Sequence, residues 1–194
     1  MWKCSFVSAA SCFLFFFLVT PTIPSIEALC VDLINTTCKQ CASKSIVFDY
    51  YFCLTSLQAV PVSHVTDVPG LAIIAMELAL GNATATISTI ENMFSGGAFD
   101  PFARQCLLDC LELYSDAVPM LEQAVAAFLE GQFDTANLFM SAVMEAAATC
   151  EVGFSEKEGE VTPLTGENYD LFELSDIALC IINLLSLGLP SVTS

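Results

Sequence analysis

Apolar positions recur at helical steps along most of this chain, and the repeat gives way only at glycine, proline and polar clusters. Pro69 and Gly70 open a segment in which Leu71, Ile74, Leu78, Ala85 and Ile90 recur at three-, four- or seven-residue steps, with a slip near Gly81. Gly96 and Gly97 close it. Asp100-Pro101 then reads as an N-cap followed by proline at the first helical position. Behind it Ala103, Cys106, Cys110, Tyr114, Ala117, Leu121, Ala124 and Phe128 form a stripe of alternating threes and fours. Such a stripe predicts a long helix packed lengthwise on its neighbours, with a kink at Pro119, which lacks a backbone donor, and a stop at Gly131. Asp134 is expected to cap the next helix, with Phe133 packing on Leu138 as a hydrophobic staple. That helix carries Ala136, Met140, Val143, Met144 and Ala147 and runs to about Phe154. The acidic string SEKEGEVTPLTGEN separates it from a last helix with Leu171, Leu174, Ala178, Ile181 and Leu185 inward, ended by Gly188 and Pro190. The fold class that follows is all-α, an up-down-up-down four-helix bundle.

Upstream of the bundle, Ile26, Leu29, Leu33 and Ile34 are helix-spaced, and so are Tyr50, Cys53, Leu54 and Leu57. Two short helices of this kind are below the length that is stable alone, so a covalent tie between them would make sense. At the N-terminus, Lys3 precedes the apolar run Ser11 to Val19, and Pro21, Pro24, Ser25 and Ala28 follow. The run is shorter than the roughly 20 residues of a spanning helix, and the arrangement is that of a secretory signal peptide. Residues 1–28 are read as that signal, with cleavage after Ala28 removing Cys4 and Cys12. Residues 29–188 remain as one domain and 189–194 as a short tail. The apolar run from Ile177 to Pro190 is taken as a core helix, because no polar spacer of a lipid-anchor signal precedes it.

Composition narrows the function. The net charge is -17, and losing Lys3 and Glu27 with the signal leaves it unchanged. So acidic a surface argues against nucleic acid and anionic membrane and favours a basic partner or simple solubility. Catalytic signatures such as a nucleophile elbow, a P-loop or H-E-x-x-H are absent, and His64 is the one histidine. Glu156, Glu158 and Glu160 sit in a polar loop, where a solvated run is the simpler account than paired acids. Two sequons, at Asn35 and Asn82, suit a secreted chain and mark candidate glycosylation sites. The Cys38-x-x-Cys41 pair lacks two further ligands for zinc and a βαβ setting for redox work, so in a secreted chain disulfides are the default. No metal, cofactor or catalytic residue is expected.

Four blocks then carry a resemblance. Cys38 to Cys53, with TTC before and CLTSL after, resembles the N-terminal hairpin of the plant invertase and pectin methylesterase inhibitors. DCLELYSDAV from Asp109, ANLFMSAV and TCEVGF between Ala136 and Phe154, and LSDIALCIINLL from Leu174 resemble the same family in the same order. The wide first cysteine pair and the acidic loop leading into VTPLT look most like the subgroup that includes the plane-tree pollen allergen, described as an invertase inhibitor. The resemblance implies an N-terminal helical hairpin linked by Cys38–Cys53, extending from a bundle tied by Cys110–Cys150. It leaves Cys30, Cys41, Cys106 and Cys180 without a family partner. Cys106 and Cys180 fall on or near apolar stripes, as buried thiols would, and a third bridge stays open. The resemblance further implies a secreted monomer, with no membrane role after signal cleavage, that blocks an acid invertase or a pectin methylesterase in a one-to-one complex. It would act at the cell wall or in the vacuole. Some invertase inhibitors carry Pro-Lys-Phe before the third bundle helix; the matching Gly131, Gln132 and Phe133 keep the phenylalanine and lack the lysine. A separate class is a storage or apolar-ligand bundle, with Phe128, Phe139, Met140 and Met144 around a cavity.

Overall fold

The computed structural model describes residues 26–97 and 99–188. The expected signal run Ser11 to Val19, Cys4 and Cys12, and the tail 189–194 lie outside the described residues. The elements are α1 (Ile26–Ala42), α2 (Tyr50–Gln58), a 3-10 turn (Pro61–Val65), α3 (Val68–Gly96), α4 (Pro101–Leu129), α5 (Phe133–Ser155) and α6 (Thr165–Ser186). Among the described residues there is no strand. In the bundle α3 packs on α4, α4 on α5, α5 on α6, and α6 closes the ring on α3, which is the predicted up-down-up-down arrangement. The hairpin of α1 and α2 lies against α3 and α6 at one end.

Local chemistry sets the helix starts. Asp67 accepts the Gly70 N–H at 2.9 Å, with Pro69 in the first turn of α3. Asp100 accepts from the Phe102 and Ala103 amides at 3.0 and 3.4 Å, and Pro101 follows it, as predicted. The α4 stripe from Cys106 to Phe128 is buried, with Ala103 half-buried at its head. The helix continues past Pro119, which sits on the solvent side where the carbonyl left without a donor can be hydrated.

Five expectations need correction. On α3 Leu71, Ile74 and Ile90 are buried as expected, but the line between them runs through Ala75, Ala79, Ala83 and Thr86; Leu78 is half-buried, Ala85 is exposed and no slip interrupts the helix at Gly81. The alanines let α4 and α6 approach closely, which explains why this face looks so weakly apolar in sequence. The cap of α5 is Gln132 without a side-chain bond, and Asp134 lies inside the first turn, where the helix dipole favours it. Leu138 is 68% exposed, and Phe133 instead meets the Phe128 ring at 5.4 Å. Helix α6 begins at Thr165 and absorbs part of the predicted loop. Buried Leu164 accepts the Asn168 N–H at 2.8 Å and starts the turn early. Finally, α1 is not short: it spans 17 residues.

One polar network crosses the core. The Tyr114 hydroxyl on α4 donates to Asn168 Oδ1 on α6 at 2.8 Å. The Asn168 amide donates to Glu151 Oε2 on α5 at 2.7 Å, and Thr165 Oγ1 donates to Glu151 Oε1 at 2.9 Å. Tyr114 and Asn168 are buried, so these bonds are what makes their burial tolerable.

Candidate target-binding surface

At the hairpin end of the bundle, the α4–α5 turn closes as a Schellman motif. Gln132 N–H donates to the Ala127 carbonyl at 2.9 Å and Gly131 N–H to that of Phe128 at 3.0 Å. Gly131 has φ +74°, the left-handed conformation glycine adopts without penalty. The motif therefore presents Gly131 and Gln132 to solvent and turns Phe133 half inward onto Phe128. The structure thus brings these three residues together on one exposed corner, and the position matching the family lysine is an uncharged glutamine. Its amide is taken by Glu130 at 2.7 Å.

The frame behind this corner is held by three bridges: Cys38–Cys53, Cys110–Cys150 and Cys41–Cys180. The first joins α1 to α2 and the second α4 to α5. The third corrects the picture of Cys180 as a thiol without a partner, and it ties the end of α1 to α6 across 139 residues of sequence. Cys38 and Cys41, one helical turn apart, thus anchor to different elements and form no joint site. Cys106 is a buried free thiol 3.6 Å from the Gly153 carbonyl, and burial beside Asp109 pushes its pKa up. The side chain of Cys30 is not among those described.

Charge is uneven. On α6, Glu167, Asp170, Glu173 and Asp176 recur every third residue. Partial desolvation of its carboxylate raises the pKa of the otherwise exposed Asp170, with Glu167 adding to it, and burial raises that of half-buried Glu173, with Asp170 and Asp49 adding. Asp176 accepts the Ser45 hydroxyl at 2.6 Å. At the opposite end, Lys157 bonds Glu160 at 3.0 Å and Asp100 at 3.1 Å, which raises its pKa and lowers that of Asp100. Glu160 is thereby spent in an exposed ion pair and takes no part in an acid pair with Glu156 or Glu158. The ring of His64 faces the Gln58 carbonyl at 3.1 Å. Both sequon asparagines are half-buried on helices; Asn35 Oδ1 accepts the Tyr50 hydroxyl, and Asn82 Oδ1 is covered without a partner. Phe128 and Met140 are buried in the packed core, and Phe139 is packed against it. Core packing, the default account of these side chains, is thus what the fold gives Phe128, Phe139 and Met140.

Residues 32–181 match the family model of the plant invertase/pectin methylesterase inhibitors. The chain belongs to that family. The matched span runs from α1 to the last turns of α6, taking in all six bridging cysteines. As a member of an inhibitor family, it is an enzyme inhibitor rather than an enzyme. A protein of Platanus acerifolia named "Putative invertase inhibitor" is 37% identical over 179 residues, 92% of this chain and 98% of that protein. A "Pectinesterase inhibitor" of Actinidia deliciosa is 31% identical over 162 residues, 84% of this chain and 83% of that one. The crystal structure of mutant form A of a pectin methylesterase inhibitor from Arabidopsis superposes with a TM-score of 0.66, at 23% identity, over 76% of this chain and 95% of that one. The fold of this inhibitor is therefore that of the solved family helical bundles.

Proposed function

We propose that this inhibitor blocks an acid invertase (β-fructofuranosidase) as a monomer in a one-to-one complex, with the Gly131–Phe133 corner near the contact. The observation that carries the choice of target is the 37% identity to the Platanus protein named an invertase inhibitor, along almost the whole of both chains. The bridged bundle supports the mode of action. A docking surface that is already rigid loses little conformational entropy on binding. In this reading residues 1–28 direct the chain into the secretory route, the domain is 29–188, and the protein works outside the cell or in the vacuole. Three disulfides and sequons at Asn35 and Asn82 support that compartment.

A second reading, inhibition of a pectin methylesterase, is supported by the 31% identity to the Actinidia protein named a pectinesterase inhibitor, while one observation counts against the first. Gln132 cannot make the ion pair with an active-site carboxylate that a lysine there would make. The test is titration of the oxidised protein into an acid invertase assay and, separately, a pectin methylesterase assay at mildly acidic pH. Saturable loss of invertase activity alone supports the first reading. Loss of esterase activity alone assigns the second, and no loss in either assay rejects both.

A further inference from the structure

The three bridges differ in how they are covered. Cys38, Cys41 and Cys53 are 0% exposed, Cys110 is 1% and Cys150 2%. Cys180 is only half-buried, and with Cys41 it forms part of the wall of an open cleft of about 470 Å³ between the end of α1, α5 and α6. Lys44, Asn137, Ser141 and Asn183 give it polar groups beside the apolar Leu179, Leu184 and Leu187. Lys44 is exposed at its mouth, and the one carboxylate lining the cleft, Asp176, accepts the hydroxyl of Ser45, which lines it too. The cleft is therefore large enough for a small molecule, reaches a disulfide, and offers a cation at its mouth.

The bridge that it exposes also has the most to release. Helices α1 and α2 pack chiefly on each other and on the 3-10 turn, and meet the bundle along short contacts with α3 and α6. Among the described residues Cys41–Cys180 is the one disulfide joining this hairpin to the bundle; Cys38–Cys53 is internal to the hairpin and Cys110–Cys150 to the bundle.

We propose that this cleft is a thiol-exchange site, at which a monothiol of the glutathione class opens Cys41–Cys180 ahead of the other bridges and frees the hairpin from α6. The incoming thiolate forms a bond to Cys180 Sγ, and the Cys41–Cys180 bond breaks with its electron pair leaving on Cys41 Sγ, which takes a proton from water. A second monothiol attacks the mixed disulfide on its non-protein sulfur, leaving Cys180 as a thiol. Two monothiols are oxidised to their disulfide, and one protein disulfide is reduced to two thiols. Lys44 gives a thiolate that also carries carboxylates a local cation to pair with, against the negative field of the rest of the molecule. The proposal does not depend on which enzyme is the target.

The test incubates the oxidised protein with reduced glutathione, quenches with iodoacetamide at intervals and maps the cysteine peptides by mass. Cys41 and Cys180 should be released at least about tenfold faster than Cys38, Cys53, Cys110 and Cys150, with a glutathione adduct on Cys180 as the transient. Equal rates, or earlier opening of Cys38–Cys53, would overturn the site. Amide hydrogen exchange on the Cys41→Ser/Cys180→Ser double variant tests the release. Exchange across α1 and α2 should accelerate at least about tenfold, while α3 to α6 keep their protection. Unchanged protection in the hairpin would overturn that half, and if the variant does not fold, the same measurement is made on selectively reduced wild-type protein.

Discussion

Tyr114 shows how a single buried hydroxyl is held to account. Its ring fills the middle of the α4 stripe, and its O–H donates to Asn168 in a network that ends on Glu151. Tyr114→Phe keeps the ring but leaves Asn168 Oδ1 without that donor, so we expect a loss of about 1–3 kcal/mol in urea unfolding. Burial first, then the carboxylates of Glu167, Glu151 and Asp170, raises the phenol far above its ordinary value. The contribution of this group is therefore fully present below about pH 10, where the phenol is protonated in both states. At higher pH the unfolded phenol ionises and the folded one does not, so stability falls by about 1.4 kcal/mol per pH unit. The Phe variant should lack this alkaline slope, as measured by unfolding midpoints across that range. Asn168 was hidden from sequence reasoning for the same reason that it matters: a polar residue on an inner stripe looks like a loop or a surface position until its partners are known.

Among the elements, the helices with strong contrast between faces were legible and those without it were not. Helix α4 alternates large apolar and polar residues, and Asp100-Pro101 marks its start with two independent signals, so stripe and cap were both predictable. Helix α3 is rich in alanine on several sides; Ala83 and Ala85 look equivalent in sequence, and only packing separates the buried from the exposed. The end of α1 hides the other unread feature. Nothing local marks Cys41 as the partner of Cys180, because the pairing is fixed by how the hairpin docks on α6. Helix α6 carries a pH signature of its own. Asp170 and Glu173 have folded pKa values above their unfolded ones, so their charged forms oppose folding at neutral pH. That penalty fades as pH falls through the raised values and is gone below about pH 4. Asp170→Asn should melt higher than wild type near neutrality, and the advantage should vanish near about pH 4 in thermal unfolding. A constant advantage across the range would show that charge is not its origin.

For the whole molecule, charge governs encounter more than stability. Of the few cations, Lys157 is held by two carboxylates, Arg104 lies 5.4 Å from the Phe94 ring and Lys39 is 5.9 Å from that of Tyr50. Against a net charge of -17, such scattered cations leave the outer field negative. Association with a basic target enzyme should then slow by at least about tenfold between low and high ionic strength in stopped-flow binding. A rate that stays flat removes charge steering from the account. The all-helical fold and the inhibitor family were legible from periodicity and four sequence blocks. The corner at Gly131–Phe133 was legible as a position, but its geometry needed the backbone.

The split of Cys38 and Cys41 toward different partners also orders events in time. A chain is made from its N-terminus, and Cys38 meets Cys53 after only 15 further residues. Cys41, one helical turn away, must stay reduced until 139 more residues have been added and α6 has folded against the hairpin. Premature oxidation to the wrong neighbour is the characteristic hazard of such a sequence. The last bond to form thus reports that α6 has been made and has docked on the hairpin.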